Sequence, residues 1–154
     1  MPRWTDVEEQ VPELAAGARA FFDARTHKTI ATVRADGSPR ISGTECLFVD
    51  GDLWFGSMPQ ARKALDLLRD PRFALHCGSA DPPAWEGDAK VAGRAEEVTD
   101  PARIAAVLTD PPEGPLHLFR AEVTELVVVT LAPKRTHLVI ESWHQGRGLT
   151  HAER

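Results

Sequence analysis

The sequence predicts a mainly β fold with flanking helices, arranged as an antiparallel β-barrel. About seven strand-like segments and three helix-like segments are present, and most strands follow one another directly. Consecutive strands favour an antiparallel barrel or an α+β fold over a doubly wound parallel sheet, and closing a barrel removes exposed strand edges. With 154 residues and 42% hydrophobic content, the chain fits one domain with a real core, residues 1–154.

Residues 1–27 are predicted as an N-terminal helical segment. Its helix runs from about Pro12 to Ala24, because apolar side chains recur there at helical spacing. Three consecutive antiparallel strands follow at Thr29–Arg34, Arg40–Val49 and Leu53–Ser57. They are separated by the turn signals Asp36-Gly37 and Asp50-Gly51, which are typical of β-hairpins.

The second half continues the same pattern. A helix is predicted from Pro59 to the Asp70-Pro71 stop, since proline is tolerated in a first helical turn. Further strands are predicted at Phe73–Cys77, Asp88–Val98, Leu118–Leu131 and His137–Trp143, with a loop at Gly78–Gly87 and a helix starting at Asp100-Pro101. Residues 145–154 are predicted as a polar, glycine-rich tail.

Charge and hydropathy narrow the range of partners. The net charge of −5 repels DNA phosphate, so no nucleic-acid binding is expected. No apolar stretch reaches the roughly 20 residues that a membrane helix needs, and the first ten residues, MPRWTDVEEQ, lack the apolar segment of a signal peptide. A cytoplasmic location is expected, in which Cys46 and Cys77 are buried free thiols rather than a disulfide.

The order of motifs resembles that of a known superfamily. The run Thr29–Arg40, containing ATVRADGSPR, is followed by Asp50–Ser57, then by Ala61–Leu65, then by Leu68–Leu75. This succession is similar to the pyridoxamine-5′-phosphate-oxidase-like proteins. The resemblance covers Thr29–Leu75 well and the later strands in outline. It implies an antiparallel split β-barrel that binds a flavin-type cofactor.

The resemblance also implies partners and cofactors. Such proteins are typically homodimers with two cofactor sites at the interface, and members bind FMN, the deazaflavin F420 or, in some branches, haem. The ending Glu141–Gly148 looks like that of actinobacterial members, which favours F420 without deciding between it and FMN.

Ser57, Arg62 and Lys63 are the predicted phosphate site. Ser57 ends a strand, and a helix start with two cations supplies oriented N–H groups and positive charge. The resemblance places phosphate contacts at these positions. The alternative is a solvated helix face on which Arg62 pairs with Asp66 four residues later.

The cofactor ring is expected against the second strand, on Arg40, Ser42, Gly43 and Thr44. Gly43 in mid-strand marks either close approach by another group or a bulge. Trp143, at the end of the last predicted strand, is a further candidate cofactor contact from the second subunit, with core filling as its alternative.

Other chemistries lack the residues they need. The six histidines form no metal-ligand pattern with cysteines or carboxylates, so no metal site is expected. Neither a G-x-S-x-G elbow nor a phosphate loop or dinucleotide fingerprint is present.

These observations predict a flavin- or deazaflavin-dependent oxidoreductase that transfers a hydride to or from a small molecule. The cofactor performs such chemistry, and no catalytic residue stands out in the sequence. The alternatives are a non-enzymatic cofactor carrier or haem-binding protein, with His76 as the histidine in an apolar strand, and a purely structural dimer. In the family that the sequence resembles, true pyridoxamine-phosphate oxidases carry additional basic substrate-binding residues near the C-terminus. Here Arg135 and Arg147 are the only arginines in that region before Arg154, so oxidation of vitamin B6 is disfavoured.

Overall fold

A computed structural model describes residues 2–154 of the chain. Within that range the chain forms nine strands in one antiparallel sheet and four α-helices. The strands are β1 Lys28–Val33, β2 Pro39–Thr44, β3 Cys46–Val49, β4 Asp52–Ser57, β5 Arg72–His76, β6 Gly87–Glu97, β7 His117–Leu131, β8 Leu138–His144 and β9 Gly148–Glu153. The helices are α1 Trp4–Gln10, α2 Pro12–Asp23, α3 Arg62–Arg69 and α4 Pro101–Val107.

The sheet curves into a barrel whose two ends are joined by the chain itself. Its hydrogen-bonded order is β2-β1-β5-β6-β7-β4-β3. The outermost strands β2 and β3 are consecutive in sequence, with only Glu45 between them. Because a single residue connects the two ends of the sheet, the sheet must bend back on itself. The ends meet without a hydrogen-bonded ladder, so the barrel is split, as the family resemblance implies.

Strand β7 creates a second division in the sheet. One edge pairs with β6 along its length, whereas the other edge pairs first with β4, at 117–120, and then with β8, at 125–131. The N-terminal segment enters the gap between them, where the Val123 N–H donates to the Pro2 carbonyl at 2.9 Å. Helices α1 and α2 therefore cover this side of the barrel.

The N-terminal helices complete the main core. Trp4, Val7, Ala18 and Phe22 are buried in it, and the Trp4 ring lies 4.8 Å from that of Phe48. The prediction of a helix from Pro12 is confirmed. Helix α1 lies within the predicted helical segment 1–27, but its bounds were not predicted, because Trp4 and Val7 are its two buried residues and acidic residues lie between and after them.

Both predicted hairpins are confirmed. β1 pairs with β2 across Asp36-Gly37, and β3 pairs with β4 across Asp50-Gly51. Positive φ angles at Asp50 (52°) and Gly51 (76°) match a two-residue hairpin turn of the primed type. The helix start predicted at Asp100-Pro101 is confirmed. Asp100 caps α4, because the Asp100 carboxylate accepts a hydrogen bond from the Ala102 N–H at 3.1 Å.

Three predictions about the strands and helices are wrong. The predicted strand Arg40–Val49 divides at Glu45, so its halves pair with different strands at opposite ends of the sheet. The helix predicted from Pro59 begins at Arg62, because Gln60 has a left-handed φ of 63°. The tail predicted at residues 145–154 contains strand β9, which pairs with β8 as a terminal hairpin.

Among residues 2–154, no helix combines the length and apolar character needed to cross a membrane.

Candidate functional site

An apolar cleft of about 490 Å³ opens where β4 ends and β7 begins. Its volume lies within the range of roughly 300–1,000 Å³ that is usual for small-molecule pockets. Most of its lining is aliphatic or aromatic, with two carboxylates, one hydroxyl and one imidazole. The lining side chains with polar groups are Glu45, Ser57, Glu113 and His117, and the large apolar ones are Leu47, Trp54, Phe55, Met58, Leu108, Leu116 and Leu118.

Strand register brings two polar side chains into this cleft together. Ser57 at the end of β4 lies directly opposite His117 at the start of β7. Directly opposite residues of an antiparallel pair project from the same face of the sheet. Ser57 and His117 therefore project from one face of the β4–β7 pair, and both residues are among those that line the cleft.

Lys63 lies beside the cleft and joins α3 to β2. Its ammonium donates to the Gly43 carbonyl at 2.8 Å. Burial lowers the pKa of the Lys63 amine, and the nearby Glu45 carboxylate partly opposes that shift. Since Glu45 also lines the cleft, the Lys63 cation is positioned at the cleft's edge on the β2 side.

Open space surrounds Gly43. A Cβ added there would meet no atom within 4 Å among the described residues. The bulge that the sequence left open as an explanation is not found at this position, because the β1–β2 register is continuous from Lys28↔Thr44 to Val33↔Pro39. The absence of a side chain instead leaves an uncovered stretch of backbone next to Lys63.

Arg62 is available to a ligand. It is the first residue of α3 and exposed, and it makes no ion pair within residues 2–154. The alternative pairing with Asp66 is not observed. The Asp66 carboxylate instead forms ion pairs with the guanidinium nitrogens of Arg40, at 2.7 Å, and of Arg69, at 3.3 Å.

Arg40 is held in a buried polar cluster instead of lying at the cleft. Its guanidinium and the Thr32 hydroxyl both donate to Asp66, the latter at 2.8 Å. The pKa of the Asp66 carboxyl lies below its usual value. Burial alone would raise this pKa, but the hydrogen bonds from Arg40, Thr32 and Arg69 together have a larger, opposite effect. Arg40 thus ties β2 to α3.

Ser42 and Thr44 are on the inner side of β2, the side that Arg40 also occupies. Ser42 lies opposite the buried Ile30, and Thr44 is 6% exposed with its hydroxyl donating to the Glu45 carbonyl at 3.3 Å. Neither side chain lines the cleft. Of the residues predicted on this strand, Gly43 alone faces the open side.

Trp143 does not join the other predicted site residues. Its side chain is 1% exposed in the main core, and its indole N–H donates to the Gln10 side-chain oxygen at 3.2 Å. A buried ring whose polar atom is already bonded leaves no surface for a cofactor. The core-filling alternative is the one observed.

A histidine–carboxylate pair at the cleft escaped the sequence analysis. His117 Nδ1 lies 2.7 Å from a carboxylate oxygen of Glu97, which ends β6. The available signal was their placement at the two ends of a strand–helix–strand connection, which brings neighbouring antiparallel strands together. His76, which the sequence analysis named for the haem alternative, lies outside the cleft and accepts from the Gly78 N–H at 3.0 Å.

Both cysteines are free thiols. Burial raises the pKa of Cys46 to about 11 and also raises that of Cys77. The two side chains are therefore protonated near neutral pH. In residues 2–154 no three histidine, cysteine or acidic side chains cluster closely enough to hold a metal ion.

Comparison with known proteins identifies related folds. The sequence profile described as pyridoxamine 5′-phosphate oxidase matches residues 14–130, more than half of the chain. No curated protein sequence matches the chain.

Three solved structures share the fold at low sequence identity. A pyridoxamine 5′-phosphate oxidase-related, FMN-binding protein from Nostoc punctiforme is 14% identical with a TM-score of 0.61, covering 94% of each chain. An F420 reductase is 22% identical with a TM-score of 0.56, covering 71% of this chain and 95% of its own. A heme-binding protein from Mycobacterium smegmatis is 15% identical with a TM-score of 0.61, covering 91% of this chain and 87% of its own.

Proposed function

The chain belongs to the pyridoxamine 5′-phosphate oxidase family, and we propose that it is an oxidoreductase that binds FMN or F420. It transfers a hydride between that cofactor and a small molecule. The observation that carries the proposal is an apolar cleft whose lining residue Glu45 lies near the Lys63 ammonium, which contacts the open backbone at Gly43. Arg62, the residue before Lys63, is exposed and forms no ion pair within residues 2–154.

The residues around Lys63 fit a phosphate group. Lys63 supplies a compact positive charge, and Arg62 supplies a planar fork of donors that matches phosphate oxygens. Ser57 adds a hydroxyl from the lining of the cleft. A side chain at position 43 would occupy the space beside Lys63 that glycine leaves empty.

The cleft fits the ring of the same cofactor. Leu47, Phe55 and Met58 offer an apolar surface, and its volume of about 490 Å³ accommodates a fused ring system. When bound, the cofactor supplies the hydride chemistry. The chain anchors its phosphate, orients its ring and keeps water from the reacting atoms.

The first test is a fluorescence titration of the purified protein with FMN and, separately, with F420. We expect saturable binding of one cofactor and a dissociation constant about tenfold to hundredfold higher for Lys63→Ala. A charge-assisted hydrogen bond contributes roughly 1.5–3 kcal/mol, which corresponds to that range. Lys90→Ala removes the same charge from the exposed side of β6 and serves as the control. Absence of binding at micromolar concentration, or equal losses in both variants, would contradict the proposal.

We further propose that the protein acts as a homodimer with the cleft near the interface. Ile41 and Met58 are 75% and 78% exposed, and Leu65 and Leu68 on α3 are also exposed. These apolar side chains lie on the elements that flank the cleft, where a second copy would cover them.

Sedimentation equilibrium tests the dimer. We expect twice the chain mass of 16.9 kDa, and a shift to the monomer in Ile41→Lys, because a buried unpaired charge is costly at an interface. Leu149→Lys changes another exposed apolar residue, on the terminal strand β9, and should stay dimeric. A monomeric wild-type protein would overturn this part of the proposal.

Haem binding is a second candidate function, favoured by the position of His117. Haem iron commonly takes a histidine as its axial ligand, and His117 is the histidine that lines the apolar cleft. A haem arm of the same titration, followed by its visible absorption, distinguishes this candidate. A Soret shift that disappears in His117→Phe would support haem binding over flavin chemistry.

A further inference from the structure

His117 is held in one orientation at the cleft wall. Its Nδ1 lies 2.7 Å from Glu97 Oε1, and the two side chains are 17% and 24% exposed. The pairing follows from register, since Glu97 lies opposite Phe119 and His117 is the diagonal neighbour two residues away. The Phe119 ring stacks on the imidazole at 6.1 Å between centroids, with 15° between the planes.

The Glu97 contact determines which ring nitrogen carries hydrogen. An ionised carboxylate only accepts hydrogen bonds, so Nδ1 of His117 must be the donor. In the neutral ring Nε2 therefore carries a lone pair, and in the protonated ring it carries a second hydrogen.

Nε2 of His117 is unused and accessible. It makes no hydrogen bond within residues 2–154, and the one buried side-chain nitrogen or oxygen there without a partner is Arg120 Nε. The free nitrogen is therefore not enclosed by the protein, and His117 is one of the residues that line the cleft.

Among the described residues, His117 is one of three ionisable side chains that line the cleft. The remaining ionisable lining residues are Glu45 and Glu113, and neither lysine nor arginine lines the cleft. Histidine is the side chain most often used as a general acid or base, and His117 is the one imidazole among these three groups. Ser57 lies directly opposite His117 and provides only a neutral hydroxyl.

We propose that His117 is the general acid–base residue of this site, with Glu97 as the positioning residue that fixes its orientation and tautomer. The proposal rests on the proposed oxidoreductase function and names a proton-transfer group for it. Since the lining away from the Lys63 edge is mostly apolar and includes two carboxylates, the substrate that we propose for it is an uncharged, largely apolar molecule with a polarised double bond.

The reduction balances with one hydride and one proton. A carbon of the substrate double bond gains hydrogen and an electron pair from the reduced cofactor, which is thereby oxidised by two electrons. The π bond breaks, and its electrons move to the adjoining end of the conjugated system. That position takes the proton from Nε2 of protonated His117, and the neutral imidazole regains a proton from water. Substrate oxidation is the reverse sequence.

Nitrogen-15 NMR of the full-length protein tests the geometry without cofactor or turnover. The His117 signal, assigned by its loss in His117→Gln, is expected to show the Nδ1–H tautomer when neutral. Addition of 2-cyclohexen-1-one, a neutral apolar probe, should shift its Nε2 resonance and leave that of His76 unchanged. An Nε2–H tautomer, or an Nε2 signal that does not respond to the probe, would overturn the proposal even if cofactor binding fails.

Single-turnover reduction of the same probe, started with the reduced form of whichever cofactor binds, tests the chemistry. We expect His117→Gln to slow reduction at least a hundredfold, since general acid–base catalysis contributes about 10²–10⁴-fold. Cofactor affinity should stay within a factor of about two. Glu97→Gln should slow the step less and weaken the tautomer preference in the NMR spectrum. His76→Gln is the control histidine variant, and a His117→Gln rate equal to its rate would refute the acid–base role.

Discussion

Gly93→Ala is expected to destabilise the protein by about 3 kcal/mol or more, at or above the upper end of the usual range for overpacking. A Cβ at this position would lie far inside van der Waals contact of the Glu122 carbonyl oxygen. It would also lie 2.9 Å from the Glu122 carbonyl carbon and 3.2 Å from the Val123 Cα. These atoms are backbone of the paired strand β7, so no side-chain rotation relieves the overlap.

The location of Gly93 amplifies the effect. The register between β6 and β7 shifts between Ala92 and Gly93, at an irregularity in the longest ladder of the sheet. A bulge of this kind bends a strand and increases its twist. Forcing β6 away from β7 here would disturb the curvature that the barrel needs.

Urea unfolding measures this prediction, through the midpoint and the slope together. Gly43→Ala is the matched control, because a Cβ there meets nothing within 4 Å among the described residues. It should be neutral or stabilising by about 0.4–1 kcal/mol, since alanine restricts the unfolded chain. Equal stabilities of the two variants would show that β6 and β7 separate at little cost.

Asp66→Asn is expected to destabilise the protein by about 3 kcal/mol at pH 7, near the lower end of the range for removing one partner of a buried ion pair. The Asp66 side chain is 5% exposed and accepts from Arg40, Thr32 and Arg69. The lower end applies because Arg40 and Arg69 retain 21% and 42% exposure and can be partly hydrated after the change.

The effect should depend on pH in a defined direction. Hydrogen bonds from its three partners outweigh burial and depress the pKa of Asp66 in the folded protein. A depressed carboxyl pKa stabilises the fold above the unfolded pKa, near pH 4, and that contribution is lost as pH falls through the folded pKa. The stability difference between wild type and Asp66→Asn should therefore shrink as the pH is lowered below about 4.

Chemical denaturation at pH 7 and at a series of lower pH values measures both effects. Asp23→Asn is the control, because Asp23 forms an exposed pair with Arg19 at 3.6 Å and is itself 62% exposed. Surface pairs of this type contribute about 0–1 kcal/mol. A difference for Asp66→Asn that is small at pH 7, or that grows on acidification, would contradict the assigned network.

Local signals in the sequence were sufficient for most elements. Asp50-Gly51 predicts a hairpin because its backbone requires positive φ angles, and Pro101 after Asp100 predicts a helix start. Where a local signal was misleading, tertiary structure prevailed. The β-favouring run Arg40–Val49 looks continuous, but its halves lie at opposite ends of the curved sheet.

The candidate site also contains residues that local sequence signals indicate and residues that only tertiary contacts position. Ser57 lines the cleft and the Lys63 ammonium contacts the Gly43 carbonyl, whereas the predicted roles of these residues and of Arg62 in binding a cofactor stay predictions. Trp143 was predicted as a cofactor contact with core filling as its alternative, and its 1% exposure supports the alternative. Its indole N–H is bonded to Gln10, which lies 133 positions away in the chain, and no local pattern relates the two residues.

By itself, the sequence determined the mainly antiparallel fold, the family and the cationic residues near one helix start. These depend on turn residues, alternation and motif order, all of which act over a few positions. Only the tertiary structure decided that Arg40 is held by Asp66 and that His117 at the cleft pairs with Glu97. Partners of this kind are chosen by strand register and helix packing, which bring together side chains that no local pattern relates.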